Sequence, residues 1–123
     1  MSEAKQIERF RRAYERALKG KWKGGTARIT SHLNRRKKRG HLSESATEAE
    51  LIQIGLEVLK SQDAKVYEYI PSGTVYFVVH HEWALFFDEN GLWDTVFPPD
   101  VPDRYFASTK GYKLICTLSE LMT

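Results

Sequence analysis

Between His32 and His41 the chain reads HLNRRKKRGH: two histidines bracket five consecutive cations, Arg35, Arg36, Lys37, Lys38 and Arg39. Imidazole exchanges a proton near neutral pH, and a guanidinium forks onto a phosphate. These are the parts that metal-free RNA cleavage requires. A base takes the proton of the ribose 2′-hydroxyl, cations stabilise the charge developing around phosphorus, and an acid protonates the departing 5′-oxygen. The plainer alternative is a basic loop with two incidental histidines.

Two more histidines, His80 and His81, are adjacent in a β-like run. Neighbours on a strand point to opposite faces, so the pair cannot act together. His80 shares a face with Thr74, Tyr76 and Val78 and is the candidate for a functional surface. Further on, Trp93, Thr95 and Phe97 alternate along one face, with a hydroxyl that can hold a phosphate oxygen or a 2′-hydroxyl. Trp22, Tyr67, Tyr69, Tyr76, Trp83, Trp93 and Tyr105 are stacking candidates, of which at most two are expected to be free of the core. There is no Lys-Ser/Thr phosphate loop, no His-Glu-x-x-His and no carboxylate cluster suited to magnesium. No metal or cofactor is expected.

Charge is partitioned along the chain. Residues 1–41 hold 14 Lys/Arg against 3 Asp/Glu, and residues 42–123 hold 5 against 13. A polyanion, by default nucleic acid, is the partner this implies for the first third. Lys21, Trp22, Lys23, Arg28, Lys37 and Arg39 are the candidate nucleic-acid contacts. One cysteine, Cys116, excludes an internal disulfide, and no apolar run approaches the ~20 residues that span a bilayer. At 123 residues the chain is expected to form a single domain.

The elements that must position these groups follow from periodicity. Ile7, Phe10, Tyr14, Ala17 and Leu18 make one helical face over 3–19, stopped by Gly20. Residues 20–31, with three glycines, read as a loop with a helical turn starting near Thr30. Leu51, Ile54, Val58 and Leu59 mark a second helix over 46–60, capped by Ser45 or Thr47, and Gly55 inside it points to close packing. Residues 65–70, 74–80, 83–88 and 92–97 are short, β-branched and aromatic, and Asn90-Gly91 is a hairpin signal. Residues 111–118 supply a fifth candidate strand. The expected fold is α+β: two N-terminal helices packed on one face of a four- to five-stranded antiparallel meander, with basic groups reaching toward its uncovered face.

A helix, the loop ITSHLNRRKKRGHL, a second helix and a meander ending FDENGLWDTVFPP together resemble the small toxin ribonucleases of the barnase–EndoU–colicin–RelE superfamily, over residues 30–99. The resemblance implies His32 as general base or acid, and Arg35, Arg36 or Lys38 stabilising the transition state. It implies Thr95 holding the scissile phosphate, with His41, His80 or Tyr105 as the second proton-transfer group. It further implies a cytoplasmic site of action, either as a whole gene product or as a delivered effector domain, and a cognate acidic immunity or antitoxin protein. The expected function is a metal-independent ribonuclease toxin cleaving RNA, with tRNA one candidate, by transesterification. The alternatives are a non-catalytic nucleic-acid-binding module and a protein-interaction module acting as an inhibitor.

Overall fold

The computed structural model describes residues 3–121. Three helices, α1 (Glu3–Ala17), α2 (Gly25–Lys38) and α3 (Glu48–Lys60), precede four strands, β1 (Lys65–Tyr69), β2 (Tyr76–His81), β3 (Trp83–Asp88) and β4 (Trp93–Phe97). A short helix α4 (Pro102–Tyr105), a 3-10 turn (Ser108–Lys110), β5 (Tyr112–Thr117) and a closing turn α5 (Leu118–Leu121) follow. The α+β class and five antiparallel strands agree with the sequence reading. The count of two N-terminal helices is corrected to three, and two short helices flank β5.

The sheet runs β4-β3-β2-β1-β5, all antiparallel. Its first face carries Val66, Phe77, Val79, Leu85, Phe87, Trp93 and Val96 into the main core with Phe10, Leu51 and Leu59. Thr47 caps α3, accepting a hydrogen bond from the Glu50 N–H. Gly55 in α3 is where the Trp93 ring lies, and a Cβ there would meet ring carbons at 2.5 Å. The Trp93 indole N–H also donates to the Ala17 carbonyl at the end of α1. One side chain thus joins α1, α3 and β4.

The missed helix, α2, begins within the stretch read as a loop. Its buried side chains are His32, Leu33 and Arg36, so the buried face is mostly polar and the apolar period of three and four is hidden. Gly24 takes a left-handed conformation (φ 87°) immediately before it.

Two further corrections concern faces. A register shift between Phe86 and Phe87 pairs Phe86 with Thr95 and Phe87 with Trp93. This bulge turns Trp93 into the main core, away from Thr95 and Phe97 on the second face. That second face is also not left uncovered. Residues 98–111 cross it as a strap, and Phe106 stacks on Tyr67 (centroids 4.9 Å apart) within a cluster of Val78, Ala84, Phe86 and Tyr112.

Candidate functional site

α2 runs beside β4, the edge strand, and the two advance together. At the start, the Trp93 N–H donates to the Lys21 carbonyl and the Lys23 N–H to the Trp93 carbonyl. One step along, Arg28 Nη2 donates to the Asp94 carboxylate at 2.9 Å and to its backbone carbonyl at 3.3 Å. Next, His32 meets Thr95, and then the Arg36 guanidinium lies 5.7 Å from the Phe97 ring centroid. Positions four apart in the helix share a face, and so Arg28, His32 and Arg36 line up in order against Asp94, Thr95 and Phe97 of the strand.

His32 is 5% exposed. Arg28 Nε, always a donor, donates to its Nε2 at 3.1 Å. The ring hydrogen is therefore on Nδ1 and is donated to Thr95 Oγ1 at 3.3 Å. Burial first, then the charges of Arg28 and Arg35, pull its pKa down to about 4, against the opposing pull of Asp94. His32 stays neutral at pH 7 with both nitrogens engaged. It fixes the Thr95 hydroxyl oxygen as an acceptor, leaving the Thr95 proton to be donated elsewhere.

Arg36 is 3% exposed. Among the described residues no carboxylate pairs with it, its Nε has no partner, and Nη1 lies 3.3 Å from His41 Nδ1. Burial, then Arg39 and Arg35, lower its pKa. The chain folds back after Gly40 to bring His41 there, with the His41 and Leu42 N–H groups both donating to the Arg36 carbonyl. Because arginine only donates, His41 Nδ1 accepts and its hydrogen sits on Nε2. Burial, then Arg36, lower the His41 pKa, so it too is neutral near pH 7.

These groups open onto a cleft of about 380 Å³ lined by Arg36, Arg39, His41, Phe97, Pro98, Pro99, Asp100 and Tyr105. The strap supplies the far wall. Tyr105 packs edge-on against Phe97 and lies against the buried Tyr112 ring, centroids 5.9 Å apart; burial, then Tyr105, raise the Tyr112 pKa.

Of the residues singled out from sequence, His32, Arg36, His41 and Thr95 come together, with Arg28, Arg35 and Arg39 beside them. His80 stands apart: it lies on β2 under Phe106, two strand spacings or roughly 10 Å from β4, and its Nε2 is buried without a partner. Burial, then His81 and Lys65, lower its pKa. Lys38 is exposed, and Lys37 lies on the far side of α2 from Arg28. Trp22 is packed between His32 and Trp93 and is not free to stack on a base. Asp94 and Tyr112 were missed. Neither belongs to a motif, and only the structure puts them against Arg28 and Tyr105.

Among the described residues, no group of His, Cys, Asp and Glu could hold a metal ion, and no helix is long and apolar enough to cross a membrane. Compared with protein-family models, curated proteins and solved structures, the chain has no match.

Proposed function

We propose that the chain is a metal-independent endoribonuclease that cleaves RNA through its own 2′-hydroxyl. The observation that carries this reading is Arg36. A buried guanidinium with no carboxylate and an unused N–H is costly unless an anion completes it. It lies in the wall of an open cleft beside a neutral imidazole.

In this reading a backbone phosphate enters the cleft and takes the N–H groups of Arg36. That releases His41 Nδ1 to accept the proton of the 2′-hydroxyl. The 2′-oxygen forms a bond to phosphorus, the bond from phosphorus to the 5′-oxygen breaks, and Tyr105 donates its phenolic proton to the leaving oxygen. The products are a 2′,3′-cyclic phosphate and a 5′-hydroxyl. Arg36, with Arg39, stabilises the charge on the phosphoryl oxygens. His32, named as base or acid by the resemblance, has both ring nitrogens engaged and takes no proton-transfer step in this reading.

A non-catalytic RNA-binding module is the competing reading, and the sealed state of His32 favours it. The cationic cleft also suits an acidic inhibitor protein, and the activity would be exercised in the cytoplasm. Incubating the protein with total RNA and purified tRNA in excess EDTA separates the readings. Discrete fragments ending in cyclic phosphate support the enzyme. Intact RNA with a salt-sensitive mobility shift supports the binder.

A further inference from the structure

From the geometry of α2 and β4 we infer that the substrate is an unpaired RNA strand, laid along α2 on one side of the cleft only. This rests on the ribonuclease reading of the cleft and adds what the cleft alone does not specify. At 100° per residue, Arg28, Arg35 and the C-cap Arg39 fall within an arc of about 40° on α2. His32 and Arg36 lie on the flank of that row turned to β4. At 1.5 Å per residue the row is about 16 Å long, roughly three steps of an extended strand. Exposed Lys21 and Lys23 lie before the helix N-terminus, tied by their backbone to Trp93, with the Lys23 ammonium 5.8 Å from the Tyr76 ring centroid.

Helix α2 contains no acidic residue. Of the carboxylates near it, Asp94 pairs with Arg28 and Glu48 accepts from Thr30, while Asp100 lines the cleft with Arg36 and Arg39. Past the cleft the carboxylates of Asp100 and Asp103 stand against the single cation of α4, Arg104. Pro98 and Pro99 have no N–H to offer a phosphate, and Asp100 repels one. The strand therefore runs from Arg36 toward Lys23 and does not continue beyond Pro98.

A duplex fits this surface poorly. It presents two phosphate rows, whereas α2 presents one, with β4 beside it. The deep, narrow major groove of A-form RNA does not admit a helix.

The test uses 2′-O-methyl oligonucleotides, which carry the phosphates but cannot undergo transesterification. Binding of an unpaired 12-mer is compared with the same sequence in a hairpin stem across a salt series, for the wild type, Lys23→Ala, Arg35→Ala, Arg35→Glu and Lys113→Ala on the opposite sheet edge. Thermal unfolding of each variant is read alongside.

The expected result is at least tenfold tighter binding to the unpaired strand. Lys23→Ala and Arg35→Ala should each lower the slope of log affinity against log salt by about 0.7. Arg35→Glu should weaken binding further, and Lys113→Ala should change nothing. Equal or tighter binding to the stem, or slopes untouched by the Lys23 and Arg35 changes in folded protein, would overturn the inference. Because no cleavage is needed, the two readings fail separately. Strand-selective binding with no cleavage of ordinary RNA removes the enzyme and leaves the track. Cleavage with stem-selective binding does the reverse.

Discussion

Arg36 Nη1 sits 3.3 Å from His41 Nδ1, so a cation that is always protonated faces an imidazole across a hydrogen bond. Imidazolium has no lone pair at Nδ1, and two positive charges at that distance repel. The contact therefore favours neutral His41, the form a general base needs.

His41→Ala should lower the cleavage rate by about 10²- to 10⁴-fold while leaving the affinity for a 2′-O-methyl strand within a few-fold of wild type. The wild-type rate should fall with acid on a limb below pH 6.5, because burial and Arg36 hold the imidazole pKa under its ordinary value. A limb at or above 6.5, measured in single-turnover kinetics, would remove His41 as the base.

Arg36→Met should separate function from stability. Cleavage should drop by at least about 10²-fold, the scale of losing one preorganised donor to a developing anion. Thermal unfolding should stay level or move upward, because a buried cation without a carboxylate is replaced by an apolar chain of similar length. Arg36→Lys should not restore the rate, since an ammonium cannot fork. A large fall in melting temperature for Arg36→Met would mean the guanidinium is structural.

His32 should leave a mark on acid stability. Its folded pKa of about 4 lies below the ordinary 6.5, so between those values the unfolded chain binds the extra proton. Stability from this group is intact above pH 6.5 and declines as pH falls toward 4, by at most about 1.4 kcal/mol per unit. Below 4 both states are protonated and the slope ends. In urea titrations at stepped pH, His32→Asn should be less stable at pH 7 but flatter between 6.5 and 5. Parallel slopes would contradict the burial argument.

Gly55→Ala tests how the site is supported. The added methyl has no room beside the Trp93 ring, and overpacking of this kind costs about 1–3 kcal/mol. Because Trp93 opens the strand that carries Thr95 and Phe97, the rate should fall along with stability. An unchanged melting temperature would show that the ring can move aside.

Much of the frame was legible beforehand. Strands at 65–70, 74–80, 83–88, 92–97 and 111–118 were readable from β-branched and aromatic runs, and they match the observed strands closely. Gly91 does lie in the turn joining β3 to β4, left-handed at φ 77°. Gly55 marks close packing as its place in a helix suggested. Helix α2 was not legible, because a helix that buries histidine and arginine shows no apolar stripe. The bulge beside Phe86 was not legible either, since strict alternation is all that a strand sequence displays. As for the site, residue types and the family resemblance nominated His32, Arg36, His41 and Thr95. Their arrangement depended on contacts between residues distant in sequence, Thr95 with His32 and Asp94 with Arg28, which no spacing rule connects.

The most direct measurement is on an oligoribonucleotide carrying a mapped cut site, compared with the same strand bearing one 2′-deoxynucleotide on the 5′ side of that bond. In EDTA, cleavage at the deoxy position should vanish while affinity is unchanged, and the all-ribose strand should yield a fragment ending in a cyclic phosphate. Continued cleavage at the deoxy position would contradict attack by the 2′-hydroxyl, and no cleavage of either strand would contradict the enzyme.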